Sequence, residues 1–204
     1  MPSATRRDLL ALACGLSAAG ALWRWGTPES GGGAASPPPV STPDASSSGA
    51  SGAGPDGTGV PARLVIPAIQ LDEPVAALGL NSEGQMVPPA NTVQWYTGSV
   101  APGRPGICVI AGHVTYSGPD VFHRLPSLRV GDLVAVTART GEVTQFAVTR
   151  TRQVDKQELT SDPSVWGDTD ERVLALITCD PDSPVREGHL AGNFVAWASP
   201  VSHR

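Results

Sequence analysis

From Ala62 onward the apolar residues come in short runs broken by glycine and proline. Runs at 64–66, 74–80, 85–87, 107–111, 133–138, 143–154, 173–178 and 193–198 have the length and pattern of strands. Ser82-Glu83-Gly84 is a turn signal before the third of them, and Arg139-Thr140-Gly141-Glu142 joins two runs as a hairpin. Helical signals are confined to single turns, at 120–125 and at 162–165, the latter with Pro163 at a first helical position. Short strands joined by Gly/Pro turns predict an all-β domain, either a closed β-barrel or a sandwich.

The pattern is different before that point. Thr5-Arg6-Arg7-Asp8 precedes an apolar stretch from Leu9 to Trp23, and Arg24 follows it. Paired arginines before an apolar run are a cytoplasmic-side signal. Residues 1–25 therefore read as an N-terminal membrane anchor or a signal segment. A short uncleaved anchor, a cleaved signal of twin-arginine type and lipidation at Cys14 are the three forms it can take. Each places the rest of the chain on the extracytoplasmic face of the cell membrane. Residues 26–59 are Gly, Ser, Pro and Ala with almost no large apolar side chain, too little to bury for folding. They read as a disordered linker, stiffened at Pro37-Pro38-Pro39. Residues 60–204 are long enough for one domain with its own core.

Composition narrows the partners. A net charge of -5 argues against nucleic acid. Three cysteines cannot all pair with one another. Cys14 lies in the N-terminal segment, which leaves Cys108 and Cys179 in the domain. A Cys108–Cys179 disulfide is one reading outside the cell. No C-x-x-C pattern is present, so a structural zinc site is not expected, and no acidic cluster has the loop spacing of a calcium site, so no metal or cofactor is expected.

Two strand-like runs end on reactive side chains. Val109-Ile110-Ala111-Gly112 leads to His113, and Ala175-Leu176-Ile177-Thr178 leads to Cys179. A thiol and an imidazole delivered this way make a cysteine nucleophile with a histidine partner the leading chemistry. The thiolate is the nucleophile, and histidine is the side chain best able to protonate a leaving amine near neutral pH.

Several motifs agree, in order, with one family. Arg63-Leu64-Val65-Ile66-Pro67-Ala68-Ile69, Gly84-Gln85-Met86-Val87-Pro88-Pro89 with Trp95-Tyr96, the strand ending Ala111-Gly112-His113, Val121-Phe122-His123-Arg124-Leu125 with Val130-Gly131-Asp132, and Leu176-Ile177-Thr178-Cys179 all fit. From Arg63 to about Ser199 the chain resembles the sortases, cysteine transpeptidases of Gram-positive cell surfaces, and looks closest to the actinobacterial branch called class F. The resemblance implies an eight-stranded sortase-like closed β-barrel with short helical turns. It implies Cys179 as nucleophile and His113 as general acid/base. It also implies cleavage of an LPxTG-like sorting motif of exported proteins through a thioacyl intermediate. An amine of a cell-wall precursor or pilin, or water, would resolve that intermediate.

One departure stands out. The family's arginine before the last strand falls on Ala191 within Gly188-His189-Leu190-Ala191-Gly192-Asn193. Alanine has no side-chain donor for an oxyanion. Arg186, five residues earlier, is the candidate to replace it. Otherwise the domain is a catalytically impaired module that binds sorting-signal peptides or another envelope partner. Asp180 follows the nucleophile directly, and a carboxylate close to the thiol would disfavour the thiolate.

Overall fold

The computed structural model describes residues 59–186 and 188–201. The segments read above as anchor or signal and as linker lie outside the described residues. Eight strands close a barrel in the order β1-β2-β3-β4-β7-β10-β6-β5. They are β1 (Pro61–Ile66), β2 (Leu71–Leu78), β3 (Val93–Tyr96), β4 (Gly106–Ala111), β5 (Leu133–Ala138), β6 (Val143–Asp155), β7 (Arg172–Cys179) and β10 (Gly192–Pro200). A two-stranded ribbon, β8 (Val185–Arg186) and β9 (His189–Leu190), lies between β7 and β10 in the chain. The two helices are single turns, α1 (Lys156–Leu159) and α2 (Pro163–Trp166).

The strand count agrees with the sequence, but one strand does not. The run at 85–87 contributes only a single bridge residue, Met86, after a turn at 82–84 in which the Asn81 carboxamide oxygen accepts the backbone N–H groups of Glu83 and Gln85 at 2.9 and 2.8 Å. The strand in its place is β3, which pairs parallel with β2 and antiparallel with β4.

Alternation along the strands divides the apolar residues between two clusters. Cys108 and Ile110 of β4, Leu174 and Leu176 of β7, and Phe194 and Ala196 of β10 fill the barrel with Trp95, Phe122 and Phe146. Their neighbours Val109, Ala111, Ala175, Ile177, Cys179, Val195 and Trp197 face outward. Leu159 of α1 and Val165 of α2 roof this outer face. Strands covered on both faces read as continuous apolar runs, which explains Ile107 to Ala111 and Val173 to Ile177. Buried aliphatic side chains of this kind stabilise the fold by about 1.5–3 kcal/mol each.

Polar contacts fasten the roof. Asp155 and Asp162 cap the two helical turns through the backbone N–H groups of Gln157 and Ser164. The indole N–H of Trp166 donates to the Leu159 carbonyl at 2.6 Å, and that of Trp197 to the Ser164 carbonyl at 2.7 Å. Asp162 also takes the Arg152 guanidinium.

Candidate active site

The barrel order makes β4 and β7 parallel neighbours, paired from Gly106↔Arg172 to Ala111↔Ile177. Parallel pairing puts the C-terminal ends of both strands at the same end of the barrel, whereas antiparallel pairing would have separated them. The ladder continues past the named strand: the Gly112 N–H donates to the Ile177 carbonyl at 3.1 Å. The Thr178 hydroxyl donates to the Gly112 carbonyl at 2.8 Å, and Thr178 is fully buried. Two residues beyond Ala111↔Ile177, this register brings His113 beside Cys179. Adjacent strands lie about 4.8 Å apart, so the two side chains are neighbours on the outer face.

β10 completes the row. It runs antiparallel to β7 with Asn193 directly opposite Cys179. Directly opposed residues share a face. Phe194 points into the barrel, so Asn193 points outward with Cys179. Asn193 and Cys179 are thus direct neighbours, and His113, just past the end of β4, continues the row by extension of the β4–β7 register. Asn193 is 1% exposed and its side-chain oxygen has no hydrogen-bond partner. The sequence reading missed it, although a lone polar residue inside a buried apolar strand was the available signal.

His113 is 3% exposed, with Nε2 2.8 Å from the Pro88 carbonyl oxygen. A carbonyl only accepts, so Nε2 carries the proton of this contact. In the neutral imidazole Nδ1 is then the basic nitrogen. Asp120 holds the surroundings in place. Its carboxylate accepts the N–H groups of Asn91 at 3.0 Å and Val121 at 2.6 Å, tying the segment that carries Pro88 to the loop after His113. The Phe122 N–H donates to the His113 carbonyl at 2.9 Å, and the Tyr116 ring lies 5.4 Å from the imidazole.

Cys179 is fully buried and disulfide-bonded, so the nucleophilic chemistry considered below belongs to its reduced form. The Cys108–Cys179 disulfide does not form, because Cys108 is a free thiol. The reason is geometric. Cys108 is opposite Leu174 and points into the barrel, while Cys179 ends β7 and points outward. Burial pushes the Cys108 thiol far above the ordinary range, which makes it inert.

The loop from Asp180 to Gly192 accounts for the other sequence candidates. Asp180 alternates away from Cys179. Its carboxylate accepts from the Gln153 side-chain amide at 3.3 Å and from the Asp182 N–H at 3.1 Å. It organises the loop on the face opposite to the thiol. Arg186 sits on β8 across from His189, is 71% exposed, and lies 3.7 Å from the Asp155 carboxylate. The backbone of Ala191 is engaged at both ends, donating to the Pro184 carbonyl at 2.9 Å and accepting from the Lys156 N–H at 3.0 Å.

The sortase-domain family profile matches residues 64–201, so the chain belongs to the sortase family. Three sortases of known structure share its fold. Sortase C-1 from Actinomyces oris is 24% identical over 70% of this chain and 73% of its own, with a TM-score of 0.55. Sortase A from Corynebacterium diphtheriae is 21% identical over 71% and 62%, with a TM-score of 0.56. Sortase C1 from Streptococcus suis is 16% identical over 71% and 74%, with a TM-score of 0.56. At these identities the likeness is one of fold. No curated protein sequence matches the chain.

Proposed function

We propose that the protein is a cell-surface sortase of the class F branch that cleaves an LPxTG-like sorting motif, with Cys179 as nucleophile and His113 as general acid/base. The observation that supports this reading is the parallel register of β4 and β7, paired up to Ala111↔Ile177, from which His113 and Cys179 follow at the same barrel end. Reduced Cys179 passes its proton to His113 and attacks the carbonyl carbon of the scissile Thr-Gly bond. The C–S bond forms as the carbonyl electrons move to oxygen. Collapse of that oxyanion breaks the C–N bond, and the imidazolium protonates the departing amine. An amine of a cell-wall precursor or pilin, or water, then attacks the thioester, and the thiol is regenerated. The substrates are exported proteins with C-terminal sorting signals, and the N-terminal segment holds the enzyme at the extracytoplasmic face of the membrane. Arg186, exposed on β8 and 3.7 Å from Asp155, is proposed to reach the substrate.

A second reading has its own observation. Ala191 leaves the family's arginine position without a side-chain donor. A sortase-like module that binds sorting signals without cutting them accounts for that loss. Incubating the reduced protein with a panel of LPxTG-type peptides and amines separates the two. Cleavage or transfer that disappears in Cys179→Ala and His113→Ala supports the enzyme. Peptide binding with no turnover supports the module.

A further inference from the structure

We infer that the Asn193 side-chain amide is the oxyanion donor of this site, taking over what Ala191 cannot supply; the inference rests on Cys179 being the nucleophile. Asn193 is the register partner of Cys179 on β10 and shares its face. It is 1% exposed, in a strand whose neighbours Phe194, Val195 and Ala196 are apolar and buried. Its Oδ1 is one of the few buried polar atoms among the described residues with no partner. A buried amide oxygen left unpaired in the strand opposite a nucleophile calls for an explanation, and a ligand atom at this amide supplies one. Rotation about χ2 exchanges its oxygen and N–H₂ ends without moving the rest of the side chain.

The position on the row decides which ligand atom. The tetrahedral intermediate on the Cys179 sulfur carries a leaving nitrogen and an oxyanion. The leaving nitrogen must face His113 to receive its proton. Asn193 lies on the other side of Cys179, where the oxyanion is then directed. The Ala191 N–H is bonded to the Pro184 carbonyl at 2.9 Å, and Arg186 rests exposed 3.7 Å from Asp155.

Two reactions of the same thiol isolate the effect. In acetylation by p-nitrophenyl acetate, the thiolate adds to the ester carbonyl, an oxyanion forms, and p-nitrophenolate leaves. In alkylation by iodoacetamide, the thiolate displaces iodide and no oxyanion forms. Both rates are measured at Cys179 on the reduced full chain by intact mass and peptide mapping, for wild type, Asn193→Ala and Asn193→Leu. Loss of one oxyanion donor lowers acyl-transfer rates by about a hundredfold to a thousandfold. Acetylation is expected to fall on that scale while alkylation is unchanged. Asn193→Leu, nearly isosteric and without the orphan acceptor, should keep or raise the melting temperature. Equal losses in both reactions, or no loss in either, overturn the inference. If the Asn193 variants show the acetylation–alkylation split but the wild type cleaves no sorting peptide, the proposed function fails and Asn193 stands as donor. Cleavage without the split does the reverse.

Discussion

Thr178 joins the two halves of the candidate site, and Thr178→Val tests that link. The Thr178 hydroxyl donates to the Gly112 carbonyl at 2.8 Å, between the residues that precede Cys179 and His113. Valine keeps the shape of threonine but removes the donor. The net loss of one hydrogen bond is about 0.5–1.5 kcal/mol, and the buried carbonyl left behind raises the cost to about 1–3 kcal/mol. For a domain of this size that is a fall of roughly 3–10 °C in melting temperature. The functional effect is separate. With the bridge gone, the ends of β4 and β7 can splay, and a displacement of about 1 Å at a reacting centre costs up to a hundredfold in rate. Thr178→Ser is the control, because it keeps the hydroxyl and loses only a buried methyl. Thermal melts combined with iodoacetamide alkylation of reduced Cys179 read both effects. Thr178→Val should lose stability and thiol reactivity together, whereas Thr178→Ser should lose some stability and keep its reactivity. If Thr178→Val melts with wild type and its Cys179 alkylates at the wild-type rate, the bridge does not hold the site.

Other consequences follow from the same structure. Asp162→Asn should cost about 1–2 kcal/mol at pH 7, because it keeps the helix cap but removes the charge from the hydrogen bond with Arg152. Burial pushes the Asp162 carboxyl up, but the Ser164 hydrogen bonds and the Arg152 and Arg150 charges outweigh it and hold it below the ordinary value. Its contribution is therefore complete above the unfolded value of about 3.9 and is lost as pH falls through the lower folded value. Melts of wild type and Asp162→Asn should accordingly converge as the pH drops below about 4. A β-carbon at Gly112 would come within 2.8 Å of the buried Phe122 ring, so Gly112→Ala should destabilise the fold by about 1–3 kcal/mol in a chemical-denaturation titration. In the reduced native protein, peptide mapping after brief iodoacetamide treatment should find Cys108 unmodified until denaturant is added.

The parts of this fold that obey local rules were legible in the sequence. The strand at 133–138 falls on β5 with the predicted bounds, because a half-buried hairpin strand alternates and its turn carries Gly141 at a φ of +87°. Pro163 starts α2 as expected, since proline fits where no intrahelical donor is needed. The strand β3 escaped because what defines it is pairing with β2 and β4, distant partners that leave no period in four residues. The nearby 85–87 run, next to the turn that Asn81 closes, forms only a single bridge at Met86. At the site, the sequence singled out His113 and Cys179 by their places at strand ends. It did not show that the strands are parallel neighbours, which depends on barrel closure. The same closure brings Asn193 opposite Cys179, while attention to a missing arginine pointed to Arg186. Asp120 was passed over because its role, holding the Asn91 segment to the loop after His113, spans residues far apart in the chain.

The most direct test of the account is intact-mass spectrometry of the reduced protein trapped during reaction with an LPxTG-type peptide. An adduct equal to the peptide truncated after threonine, mapped to Cys179 and absent from Cys179→Ala, is the predicted result. A reduced, alkylatable Cys179 that accumulates no acyl adduct with any peptide in a broad panel would contradict the central claim and leave a peptide-binding barrel in its place.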